Sequence, residues 1–145
     1  MPDVKQLVLK VMADAVAKSL PDFDERTGRF LSKPEGPPAP GAKTEDLGWT
    51  ITNQDIIYPL AVLYTIPGSD FHGDRTILNM TLSAGDAIRD FQYPDGQVEF
   101  LKADGSLWGP IFMPWTNYAW VEAYGLLRDQ IDETRRTRWE EGLIL

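Results

Sequence analysis

Residues 74–91 read DRTILNMTLSAGDAIRDF, and the apolar or small positions Ile77, Leu78, Thr81, Leu82, Ala84, Gly85, Ile88 and Phe91 recur at spacings of three and four. That period lays one apolar stripe along an α-helix, whereas a half-buried strand would alternate residue by residue. Asp74 stands where a carboxylate can accept from the free amides of a first turn, and Pro94-Asp95-Gly96 ends the pattern. The spacing predicts a helix over 74–92, the longest of the chain.

The same reading extends in both directions. Towards the N-terminus, Val4, Leu7, Val8, Val11, Met12, Ala15 and Val16 form one stripe of a helix over 4–19, with Asp3 and Gln6 as a capping box and Leu20-Pro21 as its stop. Thr52 and Asp55 make a second capping box before a helix over 54–66, whose face carries Ile56, Leu60, Leu63 and Tyr64. Pro59 lies inside that pattern and would cost ~3 kcal/mol in a helix interior, so the helix kinks there or starts there. Towards the C-terminus, Val98, Phe100 and Leu107 around Asp104-Gly105 predict a short β-hairpin. Pro114 suits the first position of a helix over 115–129 bearing Trp115, Tyr118, Ala119, Leu126 and Leu127. A fifth helix, 133–143, follows Asp132 and carries Trp139 and Leu143. The apolar run Gly142-Leu143-Ile144-Leu145 predicts a covering layer, either a continuation of the chain or a second molecule.

Between the first two helices, residues 21–48 hold Pro21, Gly28, Pro34, Gly36, Pro37, Pro38, Pro40, Gly41 and Gly48, and read as a long connection. Its phrase from Phe23 to Leu31 carries aromatics that need somewhere to pack. The fold class expected is mainly α: stacked helical hairpins with one short β-hairpin in a loop, in a single domain over 1–145. The 145 residues, 43% hydrophobic and free of cysteine, fit one globular domain and exclude a disulfide scaffold or a Cys-ligated zinc site. A net charge of -8 with no basic block argues against nucleic acid as a partner. No apolar stretch approaches the ~20 residues that cross a bilayer, and no basic n-region leads into an apolar h-region after Met1. The compartment is not legible. One histidine and no cysteine leave only oxygen ligands, so neither a metal nor a cofactor is expected.

Two passes of the chain repeat one order of features. The first runs helix, Gly28, Phe30-Leu31, Trp49, Asn53, helix; the second runs helix, Gly96, Phe100-Leu101, Trp108, Asn117, helix. Each unit reads as a helical hairpin that must stack on a neighbour to bury its apolar face. On Trp49-Thr50-Ile51-Thr52-Asn53-Gln54, on Asp95-Gly96 and Asp104-Gly105, and on Pro114-Trp115-Thr116-Asn117-Tyr118, the chain resembles the front portion of the six-hairpin α/α toroids. These occur in polysaccharide lyases of the heparinase and alginate-lyase type and in related glycoside hydrolases. The resemblance covers about residues 45–140 and would supply under half of a ring.

That resemblance implies a carbohydrate-active protein with an aromatic-lined groove for an oligosaccharide or polysaccharide. Trp49, Asn53, Trp108, Trp115, Asn117 and Tyr118 are its expected binding residues, with Trp120 a further ring-stacking candidate. An indole or phenol offers a rigid apolar face with a polar handle. An amide at Asn53 or Asn117 could donate to a uronate carboxylate and stabilise charge developing as a lyase removes the C5 proton. The resembling lyases use a Tyr or His as base, and His72 is the single histidine. A hydrolase would instead need two carboxylates ~5 to 9.5 Å apart, for which Asp55 and Glu122 are the pair. Each residue also has a structural reading: tryptophans as core, Thr52 and Asn53 as caps, Asp95 and Asp104 as turn residues. Arg135 to Arg138 with Asp132, Glu133, Glu140 and Glu141 read as a solvated helix face. The alternative function is a non-catalytic helical module for binding or self-association.

Overall fold

The computed structural model describes residues 3–31, 52–101, 107–112 and 114–144. In chain order these form α1 (Val4–Ser19), a 3-10 turn (Leu20–Asp22), β1 (Phe23–Asp24), β2 (Arg29–Phe30), a second 3-10 turn (Thr52–Ile56), α2 (Ile57–Thr65), α3 (Arg75–Asp90), β3 (Val98–Leu101), β4 (Leu107–Ile111), α4 (Pro114–Leu127) and α5 (Glu133–Leu143). The molecule is mainly helical, as the apolar spacings require. β3 and β4 pair antiparallel, Val98 with Ile111, in the expected hairpin. A second, smaller hairpin pairs Phe23 with Phe30 inside the stretch read as a long connection. Its aromatics meet there, ring centroids 5.0 Å apart, and Phe30 is buried.

α2 lies at the centre, packed against α1, α3 and α4. Its residues Ile57, Leu60, Ala61 and Leu63 are fully buried, which explains why the segment has almost no polar positions to sort onto a second face. The helix starts at Ile57, so Pro59 sits in its first turn, where a missing amide breaks no intrahelical bond. Ile56 occupies the N-cap of α2 without a side-chain bond and Asp55 accepts from Thr116; the Thr52 side chain of the expected capping box lies outside the described residues. α1 and α3 are equally long at 16 residues, so α3 is not the longest helix. Asp74 caps α3 through the Thr76 amide at 2.8 Å.

α5 is locked onto α3 by one tryptophan and one carboxylate. Trp139 is fully buried, and its ring lies so close over Gly85 that a Cβ there would stand 2.2 Å from the Trp139 ring. Trp120 meets it edge-on at 5.8 Å between centroids. Trp139 Nε1 donates to Asp86 Oδ1 at 2.8 Å, and Arg135 Nε donates to Asp86 Oδ2 at 3.0 Å. Arg138 adds ion pairs to Asp86 and Asp90. Arg135 and Arg138 are therefore interhelix ties, whereas Asp132, Glu133, Glu140 and Glu141 form an exposed face as expected. Trp139 needs no further cover either; of the C-terminal run, Leu143 is half-buried and Ile144 is exposed, while Leu145 lies outside the described residues.

α1 corrects the sequence reading most directly. Its buried face is Leu9, Ala13 and Val16, with Met12 half-buried, whereas Val4, Leu7, Val8 and Val11 are 73%, 54%, 53% and 61% exposed. The helix has more apolar residues than one stripe can hold. The two sets lie about 140° apart around the axis, and the neighbouring elements cover only the Leu9 side. The expected Asp3–Gln6 box is likewise replaced: Asp3 accepts from the Lys5 amide at 3.0 Å, and the Gln6 side chain lies against Gly68.

Both halves of the chain run helix, β-hairpin, helix; Gly28 (φ 67°) lies in the β1–β2 turn, whereas Gly96 (φ 85°) lies in the turn that precedes β3. The correspondence holds for element order and not for residue register. Phe30 lies on the second strand of its hairpin and Phe100 on the first of its own.

Candidate aromatic and amide site at the start of α4

Two short segments, distant in sequence, are fastened together beside α2. In the 3-10 turn, Gln54 is fully buried; its Oε1 accepts from the Phe30 amide at 3.3 Å and its Nε2 donates to the Phe30 carbonyl at 3.1 Å. One side chain thus satisfies both backbone groups of a strand end, as a neighbouring strand would. One residue on, Asp55 Oδ1 accepts from Thr116 Oγ1 at 3.0 Å, and Thr116 is fully buried in the first turns of α4. The turn is held on both sides.

This clamp sets the segment carrying Asn53, which precedes Gln54, against the segment carrying Asn117, which follows Thr116. The two segments therefore belong to one locality, while the side chain of Asn53 lies outside the described residues. Asn117 Oδ1 is buried and has no hydrogen-bond partner among the described residues. Trp115 and Tyr118 are 50% and 58% exposed, and Phe112 just before the helix is exposed as well. On α4, Tyr118 lies about 150° from the centre of the face formed by buried Thr116, Ala119, Trp120 and Ala123, and Trp115 lies on the flank of that face, about 90° from its centre. Tyr58, three residues after Asp55, meets Tyr118 edge-on at 6.1 Å.

Asp55 leaves part of its surface open while its bonded oxygen is turned in on Thr116. Burial pushes its pKa above the ordinary carboxylate range, and the Thr116 hydroxyl opposes that shift without cancelling it. Residues 52–65 and 114–127 contain no Lys or Arg, so neither segment brings a fixed positive charge to the site.

Other expected site residues fall differently. Trp120 is fully buried against Trp139 and is a core residue, not a ring-stacking surface. Trp108 lies on strand β4 rather than in a loop, and its side chain, like all of Trp49, is outside the described residues. His72 is exposed on the α2–α3 turn, its backbone N–H donating to the Ser69 carbonyl at 3.1 Å, and no described contact joins it to the amide cluster. Glu122 lies six residues beyond Thr116, about 9 Å of helix rise and about 120° around the axis. Asp55 is thus brought to Thr116, and Glu122 projects from a different face. Asp95 acts as a turn residue, accepting from the Gln97 amide at 3.0 Å. Among the described residues no group of His, Cys, Asp and Glu is arranged to hold a metal ion.

Sequence reasoning did not single out Thr116 or Tyr58 as partners in this site. Thr116 had a signal, being a hydroxyl residue on the helical stripe that continues through Ala119, Trp120 and Ala123. Comparison with protein-family models, with curated proteins and with solved structures finds no match to this chain.

Proposed function

We propose that the protein binds an oligosaccharide across the start of α4, as the N-terminal part of a polysaccharide lyase- or glycoside hydrolase-like α/α toroid. The observation that carries this reading is the exposure of Trp115 and Tyr118 in the helical turn that also holds Asn117, whose amide oxygen is buried with no partner among the described residues. Aromatic rings left in water forgo ~25 cal/mol for each Å² of apolar surface. A pyranose face covers such rings, and amides read its hydroxyls. The absence of Lys and Arg from both site segments favours a neutral or weakly acidic sugar over a densely sulfated one. In a lyase, Asn53 and Asn117 would be the groups donating to a uronate carboxylate, with Tyr118 the aromatic hydroxyl nearest them in sequence.

Titration of a panel of neutral and uronate oligosaccharides tests the reading. Asn117→Ala and Trp108→Ala should bind more weakly than wild type with nearly unchanged thermal midpoints. Equal binding by all three across the panel would defeat it, and ultraviolet absorbance of an unsaturated uronate product would separate a lyase from a binder. A second reading, a helical module for self-association, draws on a different observation, the uncovered face of α1.

A further inference from the structure

Val4, Leu7, Val8 and Val11 occupy a stripe about 100° wide on α1, which Ala15 continues and exposed Lys18 ends in the last turn, and all four are more than half exposed. Their exposure differs in kind from that of scattered surface leucines, because they are contiguous and follow the spacing of a helix-packing seam. One flank of this stripe carries Lys10 and Asp14, paired at 3.1 Å, with side chains 68% and 61% exposed.

That flank determines which partner fits. In an isologous contact the same surface meets itself, related by a two-fold axis. When two α1 helices run antiparallel, each flank meets its own copy reversed, so Lys10 lies opposite the partner's Asp14 and Asp14 opposite the partner's Lys10. The axis then passes at the level of Met12, and Ala15 stands opposite the level of the partner's Leu9, which gives room for Val8 of the other helix. We propose that the exposed stripe of α1 is a contact between two copies of this chain, paired antiparallel through Val8, Val11 and the Lys10–Asp14 flank. A lipid surface fits less well: the stripe has no aromatic residue, its flank bears an acid, and the molecule carries a net charge of -8. The contact is independent of the sugar site on α4, so either can fail without the other.

One helix face is a small contact beside the about 800 Å² per partner of a standard interface, and a weak dimer, with a dissociation constant on the order of 100 µM, is expected. Sedimentation equilibrium of the full chain from low micromolar to millimolar concentration should show a monomer–dimer transition. Val8→Asp should weaken the dimer more than tenfold while leaving the helical circular-dichroism spectrum unchanged. Lys10→Asp should weaken it about threefold, and Lys10→Asp combined with Asp14→Lys should restore it. A wild-type monomer at millimolar concentration would overturn the proposal, whether or not the protein then binds vesicles of anionic phospholipid. A dimer indifferent to Val8→Asp, or a charge reversal that fails to rescue, would also overturn it.

Discussion

Trp139 and Trp115 are alike in chemistry and opposite in situation. Trp139 is fully buried, with a glycine beneath its ring, Trp120 at its edge and a carboxylate on its Nε1. Trp115 is half exposed at the start of α4, on the flank of that helix's buried face. The difference teaches that aromatic content alone distinguishes neither core from site. What distinguishes them is whether a neighbouring element has made room for the ring. A partner for its nitrogen is optional: Trp139 Nε1 has Asp86, whereas Trp120 Nε1 is buried with no partner among the described residues. At the α3–α5 contact that room exists. At the start of α4 a ring is left in solvent, in the turn that also holds an amide with an unused acceptor.

Truncation is the severest way to probe this contrast. Trp139→Ala should cost about 3–5 kcal/mol in urea denaturation, because it opens a cavity between α3, α4 and α5. Filling the same contact from the other side should hurt less: Gly85→Ala drives a methyl into the Trp139 ring, and about 1–3 kcal/mol is expected from overpacking. Asp86→Ala should fall in the same range, near 1–3 kcal/mol, since it strands the Trp139 Nε1 and removes the acceptor of Arg135. If either of these two proves neutral, the α3–α5 lock is looser than the geometry implies.

Asp55 sharpens the comparison through pH. Its folded pKa lies above the unfolded value, so the folded state holds more protons between the two, and stability falls as pH rises through that window. Asp55→Asn should remove that slope and be at least as stable as wild type at neutral pH, measured by denaturation midpoints across the acid range. Asp132, the N-cap of α5, has the opposite sign. Its bond from the Arg135 amide lowers its pKa, and the stability it contributes is present above the unfolded pKa and lost as pH falls through the folded one. The smallest effect is expected at the site itself: Trp115→Ala should change stability by no more than about 0.5 kcal/mol.

The helices were legible because their apolar residues recur at the helical period, and the ends of α1, α3 and α5 followed from Asp3, Asp74 and Asp132 as caps. The face of α1 was not legible. Leu9 and Ala13 compete with Val4, Leu7 and Val8 for the core, and only the placement of neighbouring elements decides between two apolar stripes. The same holds for α4, whose Trp115 and Trp120 are indistinguishable by type. Arg135 and Arg138 looked solvated because their partners, Asp86 and Asp90, belong to another helix about fifty residues away. Of the site, the juxtaposition of the Asn53 and Asn117 segments was suggested by the repeated order of features. The Thr116–Asp55 bond that helps create it depends on a long-range contact and has no local signature.

The central claim is that the start of α4 is a binding surface while the α3–α5 contact is core. Isothermal titration of wild type and Trp115→Ala with an oligosaccharide selected from the panel tests it most directly, at a temperature where both are fully folded. The account predicts binding by wild type and an affinity at least about tenfold lower for the variant, or ~1.4 kcal/mol, with matching denaturation curves. Equal affinities, or a variant that unfolds as readily as Trp139→Ala, would contradict it.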